Sequence, residues 1–326
     1  MKIVVLGAGT WGTALARVLF ENSHEVTLWH YKKEFIDMLS ETNRHPKLNC
    51  PIPKAIKLTS DLNCIHDHKV VVVAIPTQTI RKTFEKLNDI SLDTLIVNAS
   101  KGIEIKSLKT ISNVISETTS IKSGNIIALY GPSHAEEVVK RLPTTIVSAS
   151  SDIKNARFIQ DIFSNQFLRI YSNSDIIGVE IAGSIKNIIA IAAGITVGVG
   201  FGDNTLAALI TRGIAEIKRL GFEMGAKSET FLGLSGIGDL IVTATSLHSR
   251  NRKLGYDIGK GKKISELMNE MSMIAEGVDT SKAINMLSRE LNVEMPICNK
   301  VYEILFLDKD PKTAIYELMN RRLIDE

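Results

Sequence analysis

Two polar residues interrupt an apolar segment in the second half of the chain. Lys186 and Asn187 lie within residues 180–190, whose other positions are mostly Ile, Ala and Gly and predict a buried helix. An ammonium group is almost never buried without a partner, so Lys186 should either pair with a carboxylate or border a cavity. A purely structural ion pair in the core is the alternative.

A second group of candidates begins after the glycine-rich segment 233–238. Asp239 is either a functional carboxylate or a helix cap. The motif Ser249-Arg250-Asn251 suits a phosphate, because a guanidinium fork binds two phosphate oxygens while hydroxyl and amide groups fill the remaining acceptors. The alternative is a solvated basic face that continues through Arg252 and Lys253. We therefore expect a small phosphorylated substrate.

A third candidate, Lys101, lies in Asn98-Ala99-Ser100-Lys101-Gly102, just past the predicted end of a strand. Open α/β sheets bind ligands at the carboxyl ends of their strands, which favours a ligand-binding role for this lysine. A lysine that only solvates a loop is the alternative. Its role therefore depends on the sheet that the rest of the sequence predicts.

A glycine pattern near the start of the chain predicts a dinucleotide site. The apolar run 2–6 enters Gly7-Ala8-Gly9-Thr10-Trp11-Gly12, a G-x-G-x-x-G pattern, and the following residues 13–19 predict a helix. The first glycine makes the tight turn, the second lets backbone approach a pyrophosphate, and the third lets helix and strand pack closely. Amide groups at the helix start then face the anion. An ordinary turn is the alternative, but the strand before it and the helix after it favour a dinucleotide.

The residues that read the adenosine ribose are expected after the second strand, residues 25–30. A site selective for NAD usually has Asp or Glu there, but this chain has His30-Tyr31-Lys32-Lys33. Lysines can attract a 2′-phosphate, so NADP should be accepted, while a merely solvating role leaves NAD equally open. Cofactor preference stays undecided between NADP and NAD.

The element pattern predicts two domains. Apolar β-branched runs at 69–76, 94–99 and 125–130, with later strands at 143–148 and 167–171, alternate with helices such as 78–87 and 108–118. This alternation predicts a Rossmann-like, doubly wound and mainly parallel sheet. Later segments all predict helix, at 179–197, 205–220, 227–232, 265–269, 280–291, 295–307 and 311–323. We therefore expect a dinucleotide-binding α/β domain at 1–178 and an all-α substrate-binding and catalytic domain at 179–326.

Helix ends are also suggested by the sequence. Asn204 is a plausible N-cap for the helix at 205–220, and Gly221 a plausible stop. Asp310-Pro311 should open the last helix as cap and first-turn proline.

The amino-acid composition and net charge limit the class of protein and the partners that we expect. The 326 residues are 44% hydrophobic and 23% charged, ordinary values for a globular protein of about two domains. The net charge of +3 is too balanced to favour nucleic acid or a membrane surface as partner. Cys50, Cys64 and Cys298 lack C-x-x-C spacing, which favours reduced thiols and no metal site. We expect a cytoplasmic protein with no leader and no integral membrane segment, and its apolar helical faces suit a homodimer.

Seven motifs in one order resemble the bacterial-type NAD(P)-dependent glycerol-3-phosphate dehydrogenase family over nearly the whole chain. These motifs are Gly7-Ala8-Gly9-Thr10-Trp11-Gly12-Thr13-Ala14-Leu15-Ala16, Ser100-Lys101-Gly102, Gly131-Pro132-Ser133-His134-Ala135-Glu136-Glu137, Lys186-Asn187, Gly238-Asp239-Leu240, Ser249-Arg250-Asn251-Arg252 and Ala275-Glu276-Gly277. The resemblance implies reversible reduction of dihydroxyacetone phosphate to sn-glycerol 3-phosphate, which feeds glycerophospholipid synthesis.

The resemblance also implies the site residues. Those at the dinucleotide, NADP or NAD, are Gly7, Gly9, Thr10, Trp11, Gly12, Tyr31, Lys32, Lys101, Ala135, Arg250, Ile274 and Glu276. Those at the small-molecule substrate are Lys101, Gly131, Ser133, Lys186, Asp239, Ser249, Arg250 and Asn251. Lys186 is the implied acid/base, oriented by Asp239, with Lys101 and Thr243 as helpers.

Two alternatives stay open. Another two-domain dehydrogenase, such as a 3-hydroxyacid or UDP-sugar enzyme, also needs the glycines and a lysine in a helix, although the UDP-sugar reaction requires a suitably placed nucleophilic cysteine. A non-catalytic dinucleotide sensor would bind NAD(P) and signal through the helical domain. Such a sensor has no reason to keep Lys186, Asp239 and Arg250 together.

Overall fold

The computed structural model describes residues 1–87, 90–270 and 275–323. The chain forms two compact units: unit 1 comprises 1–101 and 109–180, and unit 2 comprises 102–108 and 181–326. The functional domain limits at 1–178 and 179–326 stay a prediction.

Unit 1 is built from alternating strands and helices. In chain order these are β1 (Lys2–Leu6), α1 (Thr10–Glu21), β2 (Glu25–Trp29), α2 (Lys33–Thr42), β3 (Arg44–His45), β4 (Cys50–Pro51), β5 (Lys57–Thr59), β6 (Val70–Val73), α3 (Ile80–Phe84), β7 (Leu95–Asn98), α4 (Ile111–Thr118), β8 (Ile126–Tyr130), α5 (Ala135–Val138), β9 (Thr144–Ala149), α6 (Ile153–Phe163) and β10 (Leu168–Asn173). Short 3-10 turns at Leu62–Asp67, Thr77–Thr79 and Ser123–Asn125 lie between them.

The main sheet has the strand order β10-β9-β8-β7-β6-β1-β2-β5. Its strands pair in parallel except for the antiparallel contact between β8 and β9. Both faces are covered: Val70 and Val72 belong to one apolar cluster, and Val71 and Val73 belong to the other. Burial on both faces explains why β6 is a continuous valine run. The predicted doubly wound, mainly parallel sheet is confirmed.

The sequence reading missed three short strands. β3 and β4 form an antiparallel hairpin in which His45 pairs with Cys50, and β5 joins the sheet edge beside β2. Elements of two or three residues are too short to show an alternating pattern. The helix predicted at 78–87 is also shorter than expected, since a 3-10 turn precedes α3.

Unit 2 is helical over the residues that the structure describes. Its helices are α7 (Ile176–Val199), which begins in unit 1, α8 (Asp203–Glu223), α9 (Asp239–Thr245), α10 (Arg250–Gly259), α11 (Ile264–Glu270), α12 (Glu276–Glu290), α13 (Pro296–Phe306) and α14 (Pro311–Met319). A 3-10 turn at Ser228–Leu232 and a π-helical turn at Leu234–Gly238 precede α9. The predicted all-α second half is confirmed.

Two predicted ends of α8 are wrong. Asn204 lies inside the first turn, because the helix already begins after Gly202. Gly221 does not stop the helix, which continues to Glu223, and a Cβ at Gly221 would lie 2.2 Å from the ring of Phe231. The glycine is therefore a packing residue. The predicted cap of α14 is confirmed, since the Asp310 carboxylate accepts from the Thr313 amide at 2.7 Å.

Glycines let α7 and α10 approach backbone to backbone. A Cβ at Gly194 would lie 2.0 Å from the Arg252 carbonyl oxygen, and a Cβ at Gly255 would lie 1.9 Å from that of Ile191. Among the described residues, α7 is a helix whose length and apolar composition would suit a membrane span, but 89% of its most apolar window is buried in the structure. Such burial is typical of a core helix.

Candidate functional site

The glycine loop has the shape that a dinucleotide phosphate requires. Gly7 has a φ of +115°, and a Cβ there would lie 2.2 Å from the Ala74 carbonyl oxygen. A Cβ at Gly12 would lie 1.8 Å from the carbonyl oxygen of Gly7, so these two positions need glycine. At Gly9, by contrast, no atom lies within 4 Å of a Cβ position, which leaves space for an anion to approach the backbone. The residues present therefore fit a dinucleotide.

Of four further predicted dinucleotide residues, two lie within this loop and two follow β2. Thr10 and Trp11 are half-buried in the first turn of α1. Tyr31 is 67% exposed, and the Lys32 Nζ atom lies 5.5 Å from the centroid of its ring. Lys32 is an exposed cation that can attract the 2′-phosphate of NADP or remain solvated beside NAD, so both cofactors are compatible with the chain.

Lys101 reaches the carboxyl end of β8. Its Nζ donates to the Gly131 carbonyl at 3.0 Å and lies 5.6 Å from the centroid of the Tyr130 ring. The Ser133 hydroxyl donates to the same carbonyl at 2.9 Å. The structure thus brings together Lys101, Gly131 and Ser133, three of the predicted substrate residues. Ala135 is buried at the start of α5.

A buried polar network supports the strand ends next to Lys101. The Asn98 amide nitrogen donates to the Tyr130 hydroxyl at 2.9 Å and to the Glu180 carboxylate at 3.0 Å. The Asn98 side-chain oxygen accepts from the Ser100 amide at 3.0 Å, and the Tyr130 hydroxyl donates to the Ser100 carbonyl. The Glu180 carboxylate also accepts from the Ser112 amide at 2.9 Å, near the start of α4. Burial raises the pKa of Glu180, while these donors act in the opposite direction.

Lys186 forms a buried cluster with two residues of α9. Its Nζ donates to Asp239 Oδ1 at 2.5 Å and to Thr243 Oγ1 at 2.7 Å. The exposed fractions of Lys186, Asp239 and Thr243 are 6%, 1% and 5%. The predicted carboxylate partner of Lys186 is therefore present, and it is Asp239.

The chain before α9 explains how Asp239 reaches this position. The π-helical turn Leu234–Gly238 closes with a bond from the Gly238 amide to the Gly233 carbonyl at 3.2 Å. A Cβ at Gly236 would lie 2.2 Å from the Phe231 carbonyl oxygen, so the turn packs on the preceding backbone. Asp239 is the first residue of α9, where a carboxylate is also favoured by the helix dipole. The N-cap position of α9 is Gly238, so the capping interpretation of Asp239 is wrong, and its carboxylate pairs with Lys186 instead.

The predicted phosphate residues lie at the start of α10. The Ser249 hydroxyl caps this helix by accepting from the Arg252 amide at 3.2 Å, whereas Arg250 is exposed. The Asn251 amide nitrogen donates to Asn187 Oδ1 at 3.1 Å, and Asn251 Oδ1 accepts from the Gly277 amide at 3.1 Å.

Two more residues predicted at the dinucleotide are Ile274, just before α12, and Glu276, at its start. Glu276 is the half-buried first residue of that helix. Ile274 lies outside the described residues. Among the residues in the described ranges, no group of three or more His, Cys, Asp or Glu side chains is arranged to hold a metal ion.

Comparison with known proteins identifies the family. The NAD-dependent glycerol-3-phosphate dehydrogenase N-terminus model matches residues 2–156, and the C-terminus model matches residues 175–316. Glycerol-3-phosphate dehydrogenase [NAD(P)+] of Oceanobacillus iheyensis is 48% identical over 100% of this chain and 95% of its own length. The chain belongs to the NAD-dependent glycerol-3-phosphate dehydrogenase family.

Solved and curated members of this family match this chain over nearly its full length. The crystal structure of glycerol-3-phosphate dehydrogenase from Coxiella burnetii has a TM-score of 0.93 and 34% identity, covering 98% of this chain and 99% of that chain. Glycerol-3-phosphate dehydrogenase [NAD(P)+] of a Thermoanaerobacter species is 48% identical over 98% of this chain and 97% of its own length. The resemblance seen in the seven motifs is confirmed, and the chain is placed among the oxidoreductases.

The structure also shows functional candidates that the sequence reading left out of the site. Asn187, the neighbour of Lys186 in the sequence, contacts Asn251. The network of Asn98 and Glu180 is not predicted by any motif, although a polar residue at the end of the apolar strand β7 is a signal that could identify Asn98. A buried histidine, His45, contacts the glycine loop from the missed hairpin.

Proposed function

We propose that this chain catalyses the reversible reduction of dihydroxyacetone phosphate to sn-glycerol 3-phosphate with NADPH or NADH. The observation that carries the proposal is the buried Lys186–Asp239–Thr243 cluster in a chain that also has an open phosphate-binding glycine loop. A proton donor and a dinucleotide loop are the two parts that carbonyl reduction needs. The names of the relatives supply the substrate.

The cofactor residues act by binding and orienting. The backbone around Gly9 receives the diphosphate, and Tyr31 and Lys32 meet the adenosine ribose, with Lys32 able to attract a 2′-phosphate. When bound, the nicotinamide supplies or accepts the hydride.

Lys186 handles the proton. In the reductive direction negative charge develops on the carbonyl oxygen, and the ammonium group stabilises that charge and donates a proton to the oxygen. Asp239 and Thr243 accept hydrogen bonds from Nζ and so fix its position. In the oxidative direction Lys186 accepts the hydroxyl proton and must first be neutral.

The substrate phosphate is assigned to the start of α10. Arg250 is exposed there with a guanidinium that can bind two phosphate oxygens. The Asn251 amide nitrogen has two hydrogens, so it can donate to phosphate as well as to Asn187. Binding energy from this remote phosphate then holds the carbonyl in place for reaction.

Lys101 completes the assignment from unit 1. Its bond to the Gly131 carbonyl and its place over the Tyr130 ring direct the ammonium group to the carboxyl ends of the strands. There it can attract the negative charge of substrate or cofactor, with Ser133 as a neighbouring hydroxyl.

We also propose a cellular location, a metabolic role and an oligomeric state for this enzyme. A small-molecule dehydrogenase with a net charge of +3 fits a cytoplasmic protein that supplies glycerophospholipid synthesis and binds no nucleic acid. Exposed apolar residues of unit 2, including Phe222, Leu232 and Met319, support a homodimer.

The experiment is a comparison of substrates by nicotinamide absorbance. The purified chain is mixed with NADPH or NADH and with dihydroxyacetone phosphate, and in parallel with 2-oxo and 3-oxo acids. We expect oxidation of the cofactor with dihydroxyacetone phosphate and none with the acids. The reverse pattern favours a hydroxyacid dehydrogenase, and cofactor binding without any turnover favours a sensor.

A further inference from the structure

His45 is a buried histidine that joins a hairpin to the glycine loop. It lies in β3, with 2% of its surface exposed. Its Nδ1 atom accepts a hydrogen bond from the Leu48 amide at 3.1 Å. The ring also makes a hydrogen bond with the backbone of Ala8, the residue between Gly7 and Gly9.

These two contacts define one tautomer. A neutral imidazole has one acceptor nitrogen and one donor nitrogen. Because Nδ1 accepts from the Leu48 amide, Nε2 carries the proton and donates it to the Ala8 carbonyl oxygen. Burial lowers the pKa of His45, which favours this neutral form; the bond to the Ala8 backbone acts in the opposite direction, and Lys47 lowers the pKa further.

The Ala8 carbonyl belongs to the peptide that also contains the Gly9 amide. The structure has no cis peptide among the residues it describes, and the carbonyl and N–H of a planar trans peptide point in opposite directions. Holding the Ala8 carbonyl on the hairpin side therefore turns the Gly9 N–H to the other side. Gly9 is the loop position with open space around it.

The hairpin that carries His45 is itself anchored. The Ile52 amide donates to the Asn43 carbonyl at 2.8 Å, closing the base of the hairpin. Phe35 of α2 meets the His45 ring edge-on with 6.2 Å between ring centroids, and Cys50 is the register partner of His45. On the loop side, the Gly7 amide is held by the Trp29 carbonyl at 2.9 Å.

We propose that His45 is a positioning residue for the dinucleotide phosphate: its Nε2–H holds the Ala8 carbonyl and thereby aims the Gly9 N–H at the anion. The inference rests on the proposed function only in that the chain must bind NAD(H) or NADP(H). A loop with a freely rotating Ala8–Gly9 peptide would have to be ordered on binding, at a cost in affinity.

Two substitutions separate the two nitrogen atoms of His45. In His45→Gln the amide nitrogen reaches the position of Nε2 and can still donate to Ala8. In His45→Asn the shorter side chain can accept from the Leu48 amide but does not reach Ala8. His68→Gln is the matched control, since His68 is a half-buried histidine that bonds Thr27 and the Cys64 carbonyl, away from the loop.

The readout is the dissociation constant of NADH, measured by fluorescence titration of each purified full-length variant, with its melting temperature recorded alongside. We expect His45→Asn to weaken binding about tenfold, the effect of leaving one buried acceptor without its donor, while His45→Gln and His68→Gln bind like the parent. Equal affinity of His45→Asn and the parent, or equal loss in both His45 variants, would overturn the proposal.

A pH series keeps the test decisive if His45→Asn does not fold. Protonation leaves the Nε2–H donor in place but puts a hydrogen on Nδ1 against the Leu48 amide. The ring must then shift within the hairpin and away from Ala8, so NADH binding by the parent should weaken as the pH falls from 8 to about 5. The charged and titratable groups at His45 are Lys47 and the Cys50 thiol of its own hairpin, while α2 and the loop present Phe35 and Ala8.

His45→Gln should lack the parent's acid sensitivity, and the same pH dependence in both would reject the role of His45. NADH is used because it has no titrating 2′-phosphate. A parent chain that binds neither NADH nor NADPH would instead refute the proposed function, so the two failures are distinguishable.

Discussion

The Nζ atom of Lys186 lies 2.5 Å from Oδ1 of Asp239, and both side chains are almost wholly buried. The two residues are 53 positions apart in the sequence. A buried ammonium next to a carboxylate and a hydroxyl is arranged to hold a proton at a defined point.

Lys186→Ala tests the proton-transfer role. We expect kcat for dihydroxyacetone phosphate reduction to fall by about 10²–10⁴, the usual effect of losing a general acid, while the dissociation constant of NADPH stays the same. Steady-state kinetics and fluorescence titration give the two quantities. Turnover near that of the parent would remove Lys186 from the mechanism.

Asp239→Asn tests the ion pair through stability. Removing one partner leaves a buried ammonium without its counter-charge, so the free energy of unfolding should fall by about 3–5 kcal/mol in urea titrations. The double variant Lys186→Met with Asp239→Asn should recover most of this loss because no buried charge remains. If the double variant is as unstable as the sum of the single variants, the pair is not coupled.

Arg250→Ala tests the phosphate assignment. We expect the KM for dihydroxyacetone phosphate to rise at least tenfold, because a charge-assisted contact to phosphate is lost. Lys253→Ala is the matched control, since Lys253 is an exposed cation on the same helix α10. Equal effects of the two substitutions would place the phosphate elsewhere.

Glu216 predicts a pH dependence of stability in unit 2. Its carboxylate accepts from the Ile297 amide at 2.6 Å and the Cys298 amide at 3.1 Å, at the start of α13. Burial raises the pKa of Glu216 from 4.5 to about 7. The folded state therefore binds the proton more tightly, and this contribution to stability is present below pH 4.5 and lost as the pH rises through 7.

The matching experiment compares the parent with Glu216→Gln in urea at several pH values between 4.5 and 8. The stability of the variant relative to the parent should increase with pH, by on the order of 3 kcal/mol over this range. Glu223→Gln, an exposed carboxylate at the end of the same helix α8, should show no such trend. A constant difference across the series would show that Glu216 does not titrate there.

Patterns with a local cause were predictable from the sequence. The valine run of β6 and the glycine loop each have one physical reason, burial on both sheet faces and close backbone approach, and both are confirmed. Burial of Lys186 beside an unnamed carboxylate could be predicted because an isolated buried ammonium is too costly. The family followed from motif order, whereas the doubly wound and helical halves followed from the pattern of apolar runs along the chain.

Features that depend on distant packing were not predictable. Gly221 looks like a helix stop until the ring of Phe231 is seen against it. The hairpin of β3 and β4 is too short to leave a pattern, so His45 gave no signal that it contacts Ala8. Which predicted residues contact cofactor or substrate stays a prediction for the variants above to test.

The glycine contacts between α7 and α10 limit which substitutions this helix pair can tolerate. Where helices meet through side chains, a neighbour can change rotamer and absorb a substitution or a small displacement, but main chain touching main chain offers no such freedom. Any larger residue at Gly194 or Gly255 must increase the distance between the two helix axes. The backbone contacts between α7 and α10 therefore set the distance from Asn187 to Asn251. A random substitution at these glycines can increase that distance much more easily than it can adjust it by a small amount.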